Sequence, residues 1–200
     1  MAKKHAIIYI TGLGDHHPTL QSLAIKGWNI FRGISPELFQ NNWSDKRSFQ
    51  EKRDRLLARI DELAGQGYIV SLVGTSAGAS MALTAFALRK KDISGVVCIC
   101  GKINRPESVS KAYYAANPAF KESMYQLGDR LKELNARDKR KIVSIHPLYD
   151  QTVPVKDTYI EGVKSSRIPT VFHVPSIALC LTIFSFVVVS FLKKQATITL

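Results

Sequence analysis

Gly74-Thr75-Ser76-Ala77-Gly78 is the stretch that decides the fold of this 200-residue chain. It follows the apolar, β-branched run Tyr68–Val73, which is typical of a buried strand. It precedes Ala79–Leu88, a run rich in Ala and Leu and free of Gly and Pro, which favours a helix. Ser76 therefore stands at a predicted strand-to-helix corner, where the flanking glycines permit a sharp, strained turn. Such a turn holds a serine hydroxyl clear of its own backbone and close to a helix N-terminus, which predicts a nucleophile.

A nucleophilic serine needs a base and an acid, and candidates for both follow it in the chain. The strand-like run Lys141–His146 leads into a turn that contains Asp150, and the strand-like run Ile168–Phe172 ends at His173. Because the carboxyl ends of parallel strands share one edge of a sheet, Ser76, Asp150 and His173 are predicted to converge there. Structural interpretations stay open, since Asp150 also suits a turn cap and His173 a buried strand end.

The other histidines suit structural roles better. His146 belongs to the strand that approaches Asp150, and we expect it to be structural or to support the site from behind. His16 and His17 lie in the loop after the first predicted strand, where they either line a substrate entrance or are solvated. His5 lies near the start of the chain and is expected to be chemically inert.

Four elements of the sequence resemble the α/β-hydrolase superfamily, and the resemblance covers most of the chain. They are the G-x-S-x-G corner at Ser76, the Asp-x-x-Val-Pro turn at Asp150–Pro154, the late His173, and an N-terminal strand that leads into Thr11–Asp15. The last of these is similar to the oxyanion loop of small esterases and thioesterases. Thr11 stands where many of those enzymes have a histidine.

The resemblance implies a serine hydrolase that acts on a carboxylic ester or thioester and needs no cofactor and no metal. It implies that Ser76 is the nucleophile, with Asp150 and His173 completing a triad, and that the backbone N–H groups of Leu13 and Ala77 bind the oxyanion. Gly74 and Gly78 would support the turn. Two alternatives stay open: a non-catalytic binding protein that keeps the corner, and an acyltransferase that uses the same residues.

The pattern of elements predicts an α/β fold, with a three-layer, doubly wound and mainly parallel sheet of about six strands in a domain spanning residues 1–175. The predicted strands are Ala6–Ile10, Trp28–Arg32, Tyr68–Val73, Gly95–Cys100, Lys141–His146 and Ile168–Phe172. The predicted helices are Thr19–Lys26, Phe49–Gly65, Ala77–Lys90, Pro118–Asn135 and Val155–Ser165.

Residues 101–140 make a connection that is longer than a plain crossover requires. The segment holds the aromatic or large apolar residues Tyr113, Tyr114, Phe120, Met124 and Tyr125. These residues fit either a small helical lid over an acyl pocket or a crossover helix packed on the sheet, and the sequence favours neither.

Rival motifs fail on spacing. Gly12-Leu13-Gly14 follows a strand, but His17 replaces the third glycine that a dinucleotide-binding loop needs for its pyrophosphate. No spacing of His and Cys suits zinc. Cys98 and Cys100 alternate in a strand-like run and Cys180 lies in an apolar segment, so disulfides are not expected and a reducing compartment is the simplest setting.

The formal net charge is +12 at pH 7. Its lysines and arginines form short clusters spread along the chain, without the interleaved aromatics of a nucleic-acid face, so no nucleic-acid partner is expected. A solvated basic surface and an anionic membrane surface are the interpretations that remain.

Residues 176–194 form an apolar segment, followed by a tail at 195–200. The segment is predicted to be either a membrane anchor, for which it is marginally short, or the last helix of the fold, buried on the sheet. We favour the anchor, which predicts an enzyme on the cytoplasmic face of a membrane with its active site at the interface. No cleavable signal peptide is expected before the first strand.

Overall fold

A six-stranded parallel sheet forms the centre of the molecule, in a computed structural model that describes residues 4–13, 15 and 18–199. The strands are β1 (His5–Ile10), β2 (Ile34–Phe39), β3 (Ile69–Thr75), β4 (Ile93–Ile99), β5 (Ile142–His146) and β6 (Lys164–Arg167). Their order across the sheet is β2-β1-β3-β4-β5-β6, and every pairing is parallel. The carboxyl ends of all six strands therefore lie along one edge.

Helices cover both faces of this sheet. They are α1 (Pro18–Lys26), α2 (Phe49–Gly65), α3 (Gly78–Leu88), α4 (Lys111–Ala116), α5 (Pro118–Lys132), α6 (Ala136–Lys139), α7 (His173–Leu181) and α8 (Ser185–Thr199), with short 3-10 helices at Gly27–Ile30, Pro106–Ser108 and Val155–Thr158. One hydrophobic core joins the sheet to α2, α3 and α5, and a second joins its other face to α1, α7 and α8. The predicted three-layer, doubly wound fold is confirmed.

The central strands are apolar because both of their faces are covered. In β1, Ile8 and Ile10 point into one core while Ile7 and Tyr9 point into the other, and all four side chains are at most 1% exposed. A strand buried on both faces gives a continuous apolar run in the sequence. This is why β1, β3, β4 and β5 lie close to their predicted positions.

The edge strand β2 was predicted wrongly at Trp28–Arg32. That segment contains the 3-10 helix Gly27–Ile30, in which the buried Trp28 donates a hydrogen bond of 2.8 Å from its indole Nε1 to the carbonyl of Leu181. The actual strand contains Pro36 and Glu37, which suit an edge strand and carry no buried-strand signature.

The other edge was also predicted wrongly. The helix expected at Val155–Ser165 is a short 3-10 helix followed by β6, whose sequence Lys-Ser-Ser-Arg is polar and largely exposed. Gly162, with φ of +76°, makes the turn between them. Ile168–Phe172 is no strand of the sheet, although Val171 forms an isolated bridge with Tyr149.

The connection at residues 101–140 combines features of both predicted interpretations. Met124 and Phe120 of α5 are buried in the core that α5 shares with α3, and Ser123 bonds Ser80 of α3 at 2.8 Å, as expected for a crossover helix. Tyr113 of α4 instead lines a pocket at the carboxyl edge of the sheet. A lid function of α4 stays a prediction.

The apolar segment near the C-terminus forms two helices, α7 and α8, where one helix at 176–194 was expected. No single helix in the described part of the chain has the length and apolar composition to cross a bilayer. Taken together, α7 and α8 have that length and composition, but the two helices are bent by 60° relative to each other. Val188, Val189 and Leu192 are fully buried in the core against the sheet. Membrane association and a location on the cytoplasmic face stay predictions of the sequence.

A chain of buried polar side chains crosses the amino ends of three central strands. His5 Nε2 lies 2.8 Å from Ser71 Oγ, which lies 2.7 Å from Ser94 Oγ. The pKa of His5 is lowered from 6.5 to about 4, first because burial disfavours the charged imidazolium and second because Lys193 is nearby. His5 is thus a neutral structural residue of the core.

The titration of His5 should make the protein less stable as the pH falls. Because its pKa is lower in the folded chain, the unfolded chain binds the proton first, so stability is complete above about pH 6.5 and declines towards about pH 4. We expect a loss of about 2 kcal/mol between pH 7 and pH 5, measured by urea denaturation. His5→Gln keeps a polar partner for Ser71 without this titration, and an equally steep decline in that variant would contradict the assignment.

Candidate active site

The corner between β3 and α3 holds Ser76 in a left-handed backbone conformation with φ of +51°. Its amide donates to the carbonyl of Ile99 at 3.0 Å, and its carbonyl accepts from the amides of Lys102 at 3.1 Å and Ala79 at 3.2 Å. A non-glycine residue in this conformation costs roughly 1–2 kcal/mol, which these bonds offset. The strained turn predicted for the serine is therefore present, and the hydrogen bond to Ile99 of β4 holds it in place.

Close packing on both sides of the corner requires glycine at two positions. A Cβ placed on Gly74 would lie 2.5 Å from the carbonyl oxygen of Gly78. A Cβ placed on Gly78 would overlap the carbonyl oxygen of Ile10 and lie 2.7 Å from that of Thr11. The first turn of α3 therefore rests directly on the backbone at the end of β1.

His173 brings its imidazole ring between Ser76 and Asp150. Its Nε2 lies 2.9 Å from Ser76 Oγ, and its Nδ1 lies 2.7 Å from Asp150 Oδ2. The residue begins α7 instead of ending a strand, and its amide donates to the side-chain oxygen of Gln151 at 3.2 Å. Three residues that are remote in sequence thus form one hydrogen-bonded series at the carboxyl edge of the sheet.

Asp150 uses its two oxygens for different purposes. Oδ1 accepts from the backbone amides of Thr152 and Val153, each at 2.8 Å, while Oδ2 faces His173. The turn-cap role and the contact with the imidazole, which the sequence left as alternatives, therefore occur together. The side chain is fully buried, so the turn fixes the direction of the carboxylate.

These partners determine the tautomer of the imidazole ring. A carboxylate only accepts hydrogen bonds, so Nδ1 of His173 must carry the proton that it donates to Asp150. In the neutral ring Nε2 is then an acceptor, aimed at the hydroxyl of Ser76. The arrangement can accept a proton from the serine hydroxyl and return it to a departing group.

The loop after β1 lies against the serine. A Cβ on Gly12 would be 2.9 Å from the Cβ of Ser76, and Leu13 lines the pocket in front of it. Ala77 occupies the N-cap position of α3 and is buried. The assignment of the Leu13 and Ala77 amides to an oxyanion hole stays a prediction, and Gly14 lies outside the described residues.

His146 lies apart from this hydrogen-bonded series. It is buried at the end of β5, where its Nδ1 is 3.0 Å from the carbonyl oxygen of Pro147 and its ring lies 5.4 Å from that of Tyr159. These contacts agree with the structural role expected for it. The predictions for His16 and His17 fall outside the described residues.

A cavity of about 790 Å³ opens beside Ser76 and His173. Part of its wall is apolar, formed by Leu13, Val109, Tyr113, Phe120, Val153 and Ile177. The rest of the wall is more polar and includes Lys102, Arg105, Ser108, Lys156 and Asp157. The cavity has the size and mixed lining of a small-molecule binding site.

The charged residues of this wall were missed by the sequence analysis. Lys102 follows β4, as Ser76 follows β3, so its place at the carboxyl edge was open to the same reasoning from strand ends. Asp157 and Lys156 lay inside a predicted helix that the structure replaces with a 3-10 turn, and no sequence signal brought them to the pocket.

Within the described part of the chain, one cluster near the serine holds residues of metal-ligand type. The ligand atoms of Cys100, Asp150 and His173 lie within 4.8 Å of one another. Burial, and then the charge of Asp150, raise the pKa of the Cys100 thiol, which disfavours the thiolate that binds metals. A metal would also have to displace the bond between His173 and Asp150. The donor set therefore suits a carboxylate–imidazole pair better than a metal ion.

Comparison with known proteins gives matches in structure alone: no protein-family model matches the sequence, and no curated protein sequence is similar to it. A carboxylesterase structure from the thaumarchaeon Nitrososphaera gargenis is similar with a TM-score of 0.73 and 11% identity, over 100% of this chain and 93% of that one. Est1E from Butyrivibrio proteoclasticus gives a TM-score of 0.67 and 13% identity, covering 98% and 89% of the two chains. MGS-MChE2, an enzyme from a lagoon-sediment metagenome, gives a TM-score of 0.59 and 16% identity, covering 97% and 93%. At these identities the likeness establishes the fold.

The close approach at Gly78 predicts a large cost for a single methyl group there. Gly78→Ala should destabilise the protein by about 1–3 kcal/mol or more in urea denaturation, because the backbone of β1 cannot move aside without breaking the sheet. Gly128→Ala is the matched control: nothing lies within 4 Å of its added Cβ in α5, and the gain in helix propensity should stabilise by about 0.5–1 kcal/mol. Equal effects of the two substitutions would contradict the packing described.

Proposed function

We propose that this chain, which has the α/β-hydrolase fold, is a serine hydrolase that cleaves a carboxylic ester or thioester through an acyl-enzyme. The observation that carries the proposal is the series of hydrogen bonds from Ser76 through His173 to Asp150, next to a cavity of about 790 Å³. The carboxylesterase among the similar structures favours an ester as the bond that is cleaved.

The geometry supports a two-step reaction. Ser76 Oγ attacks the acyl carbon while Nε2 of His173 takes the hydroxyl proton, and Asp150 holds the ring in its tautomer and stabilises the imidazolium. The tetrahedral intermediate places its oxyanion towards the amides of Leu13 and Ala77, each of which is worth about 2.7–4 kcal/mol of barrier in comparable sites. His173 then protonates the leaving alcohol or thiol, and water, deprotonated by the same ring, releases the acid.

Two other functions use the same corner and predict different experimental results. A non-catalytic binding protein would hold ligand in the cavity without an activated serine, so it would not react with a fluorophosphonate. An acyltransferase would form the acyl-enzyme and pass the acyl group to an acceptor other than water. Product analysis with added alcohols separates transfer from hydrolysis.

The nucleophile is tested by labelling and by turnover. Wild-type protein should react with a fluorophosphonate probe and hydrolyse a chromogenic short-chain ester. Ser76→Ala should abolish labelling and lower kcat by at least about 10⁴-fold, because the acyl-enzyme cannot form. Ser190→Ala, at an exposed position of α8, is the matched control and should react like the wild type. Wild-type protein that neither labels nor turns over would refute the proposal.

Asp150→Asn tests how the imidazole is oriented. The amides of Thr152 and Val153 require an acceptor, so the asparagine oxygen must face them and its NH₂ group must face His173. Nδ1 would then accept, the proton would move to Nε2, and the ring could no longer take the serine proton. We expect kcat for the chromogenic ester to fall by about 10⁴-fold with the midpoint of thermal unfolding nearly unchanged.

The control for this substitution is Asp129→Asn, which removes an exposed carboxylate on α5. It should leave kcat and the thermal midpoint as in the wild type. An Asp150→Asn variant that keeps more than a tenth of wild-type kcat would show that the carboxylate does not set the tautomer.

A further inference from the structure

A buried ion pair lies beside the serine and takes no part in the mechanism above. Lys102 Nζ is 2.5 Å from Asp157 Oδ2, and the two side chains are 6% and 0% exposed. Lys102 follows β4, and its backbone amide binds the carbonyl of Ser76. Burying two charges stabilises a fold little or not at all, because desolvation cancels most of the attraction. The pair therefore calls for an explanation other than stability.

The ion pair shapes the loop from Lys102 to Ser108. Lys102 Nζ also donates to the carbonyl of Arg105 at 3.1 Å and to Ser108 Oγ at 2.6 Å. The carbonyl of Asp157 accepts from the amides of Ile103 and Asn104 at 3.1 and 3.0 Å. Arg105 is held in a left-handed conformation with φ of +57°. The loop is thereby fixed with Arg105 in the wall of the cavity.

The charges on this wall do not cancel. The described residues that line the cavity include the cations Lys102, Arg105 and Lys156 but a single carboxylate, Asp157. Asp157 already has the buried Lys102 as its partner, and Arg105 reaches its other oxygen at 3.2 Å with 40% of the Arg105 side chain exposed. The wall therefore has a net charge of +2, from the three cations and one carboxylate named here.

Arg105 and Lys156, the two cations of the described lining that solvent reaches, are able to bind an anion. Lys156 is exposed, and no described carboxylate lies within 4 Å of its Nζ. Glu107 lies 3.7 Å from Arg105 Nε, but it is 69% exposed and does not line the cavity. An anion in the cavity would gain charge-assisted hydrogen bonds from these cations, and the net charge of +12 would attract it from solution.

We propose that the substrate is an ester or thioester bearing an anionic group, held by Arg105 and Lys156 while the reacting carbonyl lies at Ser76. This inference rests on the proposed hydrolase function and specifies its substrate class. The apolar wall formed by Val109, Phe120 and Val153 contacts the uncharged part of the molecule. The anionic group belongs to either the acyl part or the alcohol part, because both extend from the carbonyl into the same cavity.

Two matched pairs of esters test the proposal and separate these two sources. The p-nitrophenyl monoester of adipic acid and p-nitrophenyl hexanoate differ only in a carboxylate or methyl group at the end of the acyl chain. p-Acetoxybenzoate and its methyl ester differ in charge on the alcohol side. We expect the anionic member of one pair to have a kcat/KM at least about tenfold above that of its neutral partner, and added NaCl to reduce this preference.

Substitutions then assign the preference to the two side chains. Arg105→Gln and Lys156→Gln should each reduce the anionic-to-neutral ratio of kcat/KM by about threefold or more, and together they should bring it near one. Arg105→Lys should retain much of it, because the charge remains. Lys91→Gln removes one exposed charge before β4, at the opposite edge of the sheet, and should leave the ratio unchanged.

The outcomes separate this proposal from the hydrolase function. Turnover of neutral esters with a ratio of one or below in both pairs would overturn the anion proposal and leave the hydrolase intact. A preference that persists in the double variant would also overturn it. If no ester is turned over, calorimetric titration with adipate decides: binding that the double variant loses supports an anion site, and no binding overturns it.

Discussion

The contact between the first turn of α3 and the end of β1 is the constraint on which the rest of the site depends. Because Gly78 lies on the carbonyl groups of Ile10 and Thr11, α3 begins as close to the sheet as a backbone can come. Ser76 makes its left-handed turn directly before this contact, and Leu13 lines the same cavity as the serine. The parallel sheet then places the connections after β4 and β5 at the same edge.

The helices and strands were predictable where buried positions require apolar residues. Phe49–Gly65 matches α2 to the residue, and in the structure Ser48 and Glu51 form a capping box at its start. The central strands were found for a related reason, since two covered faces require continuous apolar residues. The edge strands β2 and β6 were missed because polar residues and a proline are tolerated there, so β propensity carries little information.

The site likewise contains residues that the sequence predicted and residues that it did not. Ser76, Asp150 and His173 were chosen because each ends a strand-like run or follows one, and the structure places them within hydrogen-bond distance in series. His173 was predicted to stand at the end of a strand, but it begins α7 after an irregular segment. Lys102, Arg105 and Asp157 meet through a loop and a 3-10 turn whose conformations depend on tertiary contacts, and no local pattern reports those.

The position of His173 at the start of α7 has a consequence for how the domain folds. Ser76 and Asp150 precede α7 and α8 in the chain, and these two helices cover one face of the sheet. Until those helices dock, the folding domain has its hydroxyl and carboxylate but lacks the imidazole between them. The packing of α7 against the sheet and the completion of the hydrogen-bonded series from Ser76 to Asp150 are therefore one structural event.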